Sequence, residues 1–110
     1  MIQVLLSRSD EGFLQSCSAQ GHAEYAPKGS DIVCASVTCL LRTVLDMLES
    51  SGTIELQTDI PGRGQLAFSV KGYAKSDEGL LKYSFEFLKV VLSSIAQEYP
   101  ENVQLRVVEK

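Results

Sequence analysis

A chain of 110 residues with 45% apolar and 22% charged side chains can enclose one hydrophobic core but not two, and that balance argues against disorder. A net charge of -4 argues against direct nucleic-acid binding, which needs clustered Lys and Arg, and leaves a basic partner acceptable. Three cysteines and one histidine, with no CxxC, match neither a disulfide framework nor a zinc site, so free thiols in a reducing cytoplasm, without metal or cofactor, are expected.

The first residues, Met1 to Arg8, alternate into polar side chains at once and lack the charged start and apolar run of a signal peptide. No run is long enough to cross a bilayer, so no membrane partner is expected. Ile2–Arg8 and Phe13–Gln20 read as two strands around the turn Ser9-Asp10-Glu11-Gly12. Ile2, Val4 and Leu6 alternate as on a half-buried strand, with Leu5 breaking the pattern. The small polar residues of the second run suggest a face near solvent or a groove.

A loop punctuated by Gly21, Pro27 and Gly29 follows, and then a helix from about Asp31 to Ser50. Val33, Val37, Leu40, Leu41, Val44 and Leu48 form its apolar stripe, and Ser50-Ser51-Gly52 ends it. Thr53–Asp59 and Gly64–Lys71 read as a second strand pair around the turn Ile60-Pro61-Gly62-Arg63. A second helix runs from about Asp77 to Glu98, with Ser76 as its N-cap and Pro100 as its stop. Leu80, Leu81, Phe85, Phe87, Leu88, Val91, Leu92 and Ile95 make its apolar arc wider than one sheet contact needs. A second subunit or a deep core would both account for that. Val103–Val108 is a last alternating strand.

The order β-β-α-β-β-α-β predicts an α+β, two-layer sandwich over residues 1–110, a mostly antiparallel sheet carrying both helices on one face.

The stretch from Gly21 to Thr38 carries the chemistry. If Asp31 caps the first helix, Cys34 lies in its first turn, where unpaired N–H groups favour a thiolate. His22, twelve residues upstream across the loop, could take the thiol proton and return it to a leaving amine. Each residue has a plainer reading. A cysteine near a helix start is commonly a small buried residue, and Cys17 and Cys39 read so. A lone histidine beside glycine is commonly structural. Asp31 is first a cap, and Thr38, one turn beyond Cys34, is a core-edge residue or a hydroxyl near the site. Cys39 lies about 140° around the helix from Cys34, so the two cannot chelate together.

Gly21-His22-Ala23-Glu24-Tyr25-Ala26 followed by Gly29-Ser30-Asp31-Ile32-Val33-Cys34-Ala35 closely resembles the signature of the ribosomal-processing cysteine protease family, Prp. The likeness covers essentially the whole chain in length and element order. It implies a cytoplasmic bacterial endopeptidase that trims the N-terminal extension of a large-subunit ribosomal protein, the twenty-seventh of the L series. It implies a catalytic pair of His22 and Cys34, a homodimer and a flexible loop between the pair; beside that pair, Gly21, Asp31 and Thr38 are supporting candidates. Ser36 and Thr38 stand where alanine and serine are more usual in the family. The rival from another class is a non-catalytic, ribosome-associated peptide-binding module. A redox-sensing thiol is a second rival, disfavoured because no resolving cysteine shares the helix face of Cys34.

Overall fold

The computed structural model describes residues 1–21, 28–62 and 65–109, with the side chains of 28–31 and 62 left aside. Strands β1 (Ile2–Arg8) and β2 (Leu14–Gln20) pair antiparallel, and helix α1 spans Lys28–Ser50. Strands β3 (Glu55–Gly62) and β4 (Gln65–Gly72) pair antiparallel, helix α2 spans Glu78–Glu98, and β5 covers Val103–Glu109. The sheet order is β3-β4-β2-β1-β5, with β5 parallel to β1 and every other pair antiparallel. The expected α+β order and mostly antiparallel sheet are therefore present.

Alternation decides which face is covered. Ile2, Val4 and Leu6 of β1, Cys17 and Ala19 of β2, and Leu66 and Phe68 of β4 point to the helix side and are buried. Val33, Val37, Leu41, Val44, Leu45 and Leu48 of α1 meet them beside Leu81, Phe85, Leu88 and Leu92 of α2. Each such side chain contributes roughly 1.5–3 kcal/mol on leaving water, which is what holds both helices on one face. The other face is open. Leu5, which broke the alternation, points there. So do Gln3, Gln20, Gln65 and Gln104, exposed and aligned across four strands by the register.

The β1–β2 turn closes as expected. Ser9 and Phe13 pair through backbone at 2.9 Å, and Gly12 takes φ +87. Four expectations need correction. Helix α1 begins at Lys28, three residues before Asp31, so Asp31 is inside the first turn and not the cap. Strand β3 continues through Ile60 and Pro61 to Gly62, with a register shift after Asp59; an edge strand tolerates proline there because its outer N–H groups are not needed. Of the expected turn, Arg63 lies outside the described residues. Cys39 is exposed, not buried, because it falls off the apolar stripe.

The fourth correction concerns α2. A 3-10 turn, Lys75–Asp77, precedes it, and Ser76 makes no cap. Asp77, only 5% exposed, secures the entry: its carboxylate accepts the Ala74 N–H at 2.9 Å and the Thr53 hydroxyl at 2.7 Å. One acid thus ties the link after α1 to the start of α2. Asp77→Ala should lower the free energy of unfolding by about 1–3 kcal/mol, since it removes the hydrogen bonds that Thr53 and Ala74 make to a buried carboxylate. Ser76→Ala, at an exposed site, should change it by no more than about 0.5 kcal/mol. Denaturant titration of the two variants checks the contrast.

Cys17 gives a second prediction. Burial pushes its thiol up from 9.0 to about 12. Above pH 9.0 the unfolded chain sheds this proton while the folded chain keeps it. Stability that is full below pH 9.0 therefore drains away as pH climbs towards about 12. Cys17→Ala should flatten this part of the stability–pH curve, measured by urea melts across the alkaline range.

Candidate active site

The stripe that buries Val33, Val37 and Leu41 sets the rotation of α1 and so decides where Cys34 faces. Cys34 is the seventh residue of the helix, in its second turn. It is half-buried at the edge of the stripe, packed against the core on one side and open on the other. The fourfold set of unpaired N–H groups belongs to the first turn, and the helix-dipole field fades within it. The helix-start position expected of Cys34 from sequence is therefore not the one it occupies.

Helical spacing places Asp31 three residues before Cys34 and Thr38 four after it, on one face of α1. Thr38 is half-buried there, at the core edge. The side chain of Asp31 lies outside the described residues, as does the whole of His22. What is described is the residue that carries the histidine: Gly21, directly after β2, at φ +124. The Ser36 hydroxyl donates to the Ile32 carbonyl at 2.8 Å, so it is committed to the helix backbone and faces away from Cys34.

The three thiols sit in three environments. Cys17 is buried in the sheet centre, Cys39 is exposed on the outer surface of α1, and Cys34 lies between these extremes. A nucleophile must be reachable yet held, and only Cys34 meets both conditions. Among the described residues no group of three His, Cys, Asp or Glu is placed to hold a metal. Two hollows of about 300 Å3 each lie on the open sheet face, far in sequence from Cys34. Ser16, Ser18 and Ser69 floor the first, the groove that the small polar residues of β2 suggested.

Comparison with known proteins places this arrangement. A family model described as Cysteine protease Prp matches residues 1–104. SMU.848 from Streptococcus mutans is 32% identical over 100% of this chain and 96% of its own, with a TM-score of 0.76. The ribosomal processing protease Prp from S. aureus in complex with a substrate peptide is 22% identical, covering 97% of this chain and 99% of its own, with a TM-score of 0.78. The same protease with a covalently linked product peptide gives 23%, 97%, 99% and 0.77. A search of curated proteins finds no match. With a family match over nearly the full length and a reachable thiol on the first helix, the chain belongs to the cysteine protease Prp family.

Proposed function

We propose that this chain is a cytoplasmic endopeptidase, a single catalytic domain that removes the N-terminal extension of a large-subunit ribosomal protein, the twenty-seventh of the L series. The observation that carries the reading is the placement of Cys34, the one thiol both anchored by the core and open to a substrate. Family membership and the S. aureus relative bound to a substrate peptide support a peptide as the substrate class. The net charge of -4 leaves a basic partner segment electrostatically acceptable.

In this reading His22 takes the proton from the Cys34 thiol, and the sulfur attacks the scissile carbonyl carbon. A C–S bond forms, and the peptide C–N bond breaks as the imidazolium returns its proton to the leaving amine. Water, deprotonated by the same imidazole, then cleaves the thioester and releases the carboxylate product. That the S. aureus relative was captured with a covalently linked product peptide supports a covalent route. In this reading Asp31 and Thr38, three residues before and four after Cys34 in the sequence of α1, and Gly21, next to the histidine in sequence, support the pair. No helix among the described residues is long and apolar enough to cross a membrane.

Incubation with the extended ribosomal protein and mass analysis of the products tests this. Cys34→Ala should abolish cleavage, and His22→Ala should lower kcat/KM by about 10²–10⁴-fold. Retained binding without cleavage by the wild-type chain would favour the peptide-binding module instead. Iodoacetamide should label Cys34 fastest, Cys39 more slowly, and Cys17 only after unfolding, as read by peptide mapping.

The same proposal makes the working unit a homodimer. Tyr83, Phe87 and Val90 stand four and three residues apart on α2 and are 77%, 50% and 63% exposed, an apolar stripe continuous with half-buried Leu80 and Val91. A second copy presenting the same stripe would cover it by two-fold symmetry. Phe87→Glu should turn the dimer into a monomer in sedimentation velocity while the far-UV circular dichroism stays unchanged.

A further inference from the structure

One edge of the sheet carries an apolar face that no helix covers. Helix α1 packs on β2 and β4, and α2 packs on β5, β1 and β2. A helix is about 10–12 Å across and neighbouring strands stand about 4.8 Å apart, so α1 shades two strands and stops short of the next. That next strand is β3, at the edge. Its residues Leu56 and Thr58 pair with Val70 and Phe68 of β4 on the helix side, and Ile60 follows by alternation. Burial falls along this row: Leu56 is half-buried, Thr58 is exposed and Ile60 is 41% exposed. The register shift between Asp59 and Gly62 adds a bulge beside Ile60, which bends a strand and re-aims its side chains.

The thiol borders the same strip. Strands β2 and β3 run in one direction, since each is antiparallel to β4 between them, and α1 is the crossover that joins them. Crossovers of this kind are right-handed. That hand turns the row Cys34, Thr38 and Arg42 of α1, spaced by four, toward β3, and turns the Leu40 side toward α2. Leu40 is half-buried there, as are Leu80 and Val91 of α2. On the β3 side Cys34 and Thr38 are half-buried and Arg42 is exposed, the open margin of a packed helix. The chain also fixes the level. Counted back from the junction of α1 and β3, Cys34 lies about 21 Å along the helix from Leu48, and Ile60 about 13 Å along the strand from Leu56. Thiol and Ile60 therefore fall toward the same end of the strip.

We propose that this strip is the channel for the acyl part of a peptide substrate, walled by α1 and β3, and that Ile60 selects an apolar side chain next to the scissile bond. The proposal rests on the reading of Cys34 as a peptidase nucleophile. A strip about 4.8 Å wide admits an extended chain and not a helix about 10 Å across, which makes the occupant an extended peptide. The acyl part stays joined to the enzyme through both steps of covalent catalysis, so it is the part that needs a wall continuous with the thiol. Leu56, Thr58 and Ile60 carry no charge, so an aliphatic or aromatic residue gains contact here and a charged one finds no partner among them.

Two peptide chloromethyl ketones test this: acetyl-Ala-Ala-Leu and acetyl-Ala-Ala-Gly, each alkylating Cys34 with loss of chloride. The wild-type chain should react at least about 10-fold faster with the Leu probe than with the Gly probe. Ile60→Asp, and separately Thr58→Arg, should bring that ratio within about twofold of one, while the iodoacetamide rate at Cys34 stays within about twofold of wild type. Both substitutions fall at exposed positions, where folding tolerates change. Leu5→Gln, on the opposite face of the sheet, should keep the wild-type ratio. A wild-type ratio in both folded β3 variants overturns the proposal, and so does a ratio near one in the wild-type chain. If the extended ribosomal protein is cleaved in either case, the peptidase reading stands without the channel. Leu selectivity that depends on Ile60, with no cleavage of that protein, sinks the peptidase reading and leaves the channel as a peptide-binding one.

Discussion

The structure depends on one contact above the others, the apolar stripe of α1 lying on the helix-side face of β2 and β4. Val33, Val37, Leu41, Val44 and Leu48 lock the helix in rotation because each is buried among residues of the sheet and of α2. A helix fixed in rotation has no freedom left for the residues at the margin of its stripe. Cys34 lies on that margin. Its half-buried state follows from the burial of its neighbours, and its reachability follows from the stripe stopping beside it.

The two faces of the sheet divide the labour. The helix side is aliphatic and aromatic and carries the stability. The open side is lined by aligned glutamines and small hydroxyl residues, and it presents hollows with no apolar lid. Ser7 and Ser16 hydrogen-bond to each other across β1 and β2 on that side, which satisfies hydroxyls in a crowded part of the strand pair. At the far end of β1, Arg8 pairs with Glu109 at 3.0 Å and lies 5.8 Å from the Phe85 ring centre. The ion pair is surface-exposed and contributes little by itself. The ring contact joins β1 to α2, while the backbone pairing with β1 holds the edge strand β5 to the body of the sheet.

The cysteines show how packing sorts one functional group into several roles. In the sheet centre the thiol is a small hydrophobe whose proton is retained far into the alkaline range. On the outer surface of α1 it is merely exposed. At the stripe edge it is both held and accessible, which is the condition covalent catalysis needs. Helix start and thiol are separated by more of α1 than the sequence suggested.

The sequence by itself determined the element order, the two amphipathic helices and the strands Ile2–Arg8 and Val103–Val108, since period-2 and period-3.6 patterns are local properties of the chain. It also carried the motif around His22 and Cys34, because residue identity and spacing need no coordinates. It was silent on the strand order and on the parallel pairing of β5 with β1, which rest on contacts between residues about a hundred positions apart. It misplaced the start of α1 and the entry of α2, because helix ends are decided by whatever donors and acceptors the fold brings near. Asp77 took the place assigned to Ser76 only because Thr53 arrives beside it. In the same way, no local pattern could show that Gly21 abuts Met1: that meeting exists only once β1 and β2 have paired, and pairing is a property of the folded chain.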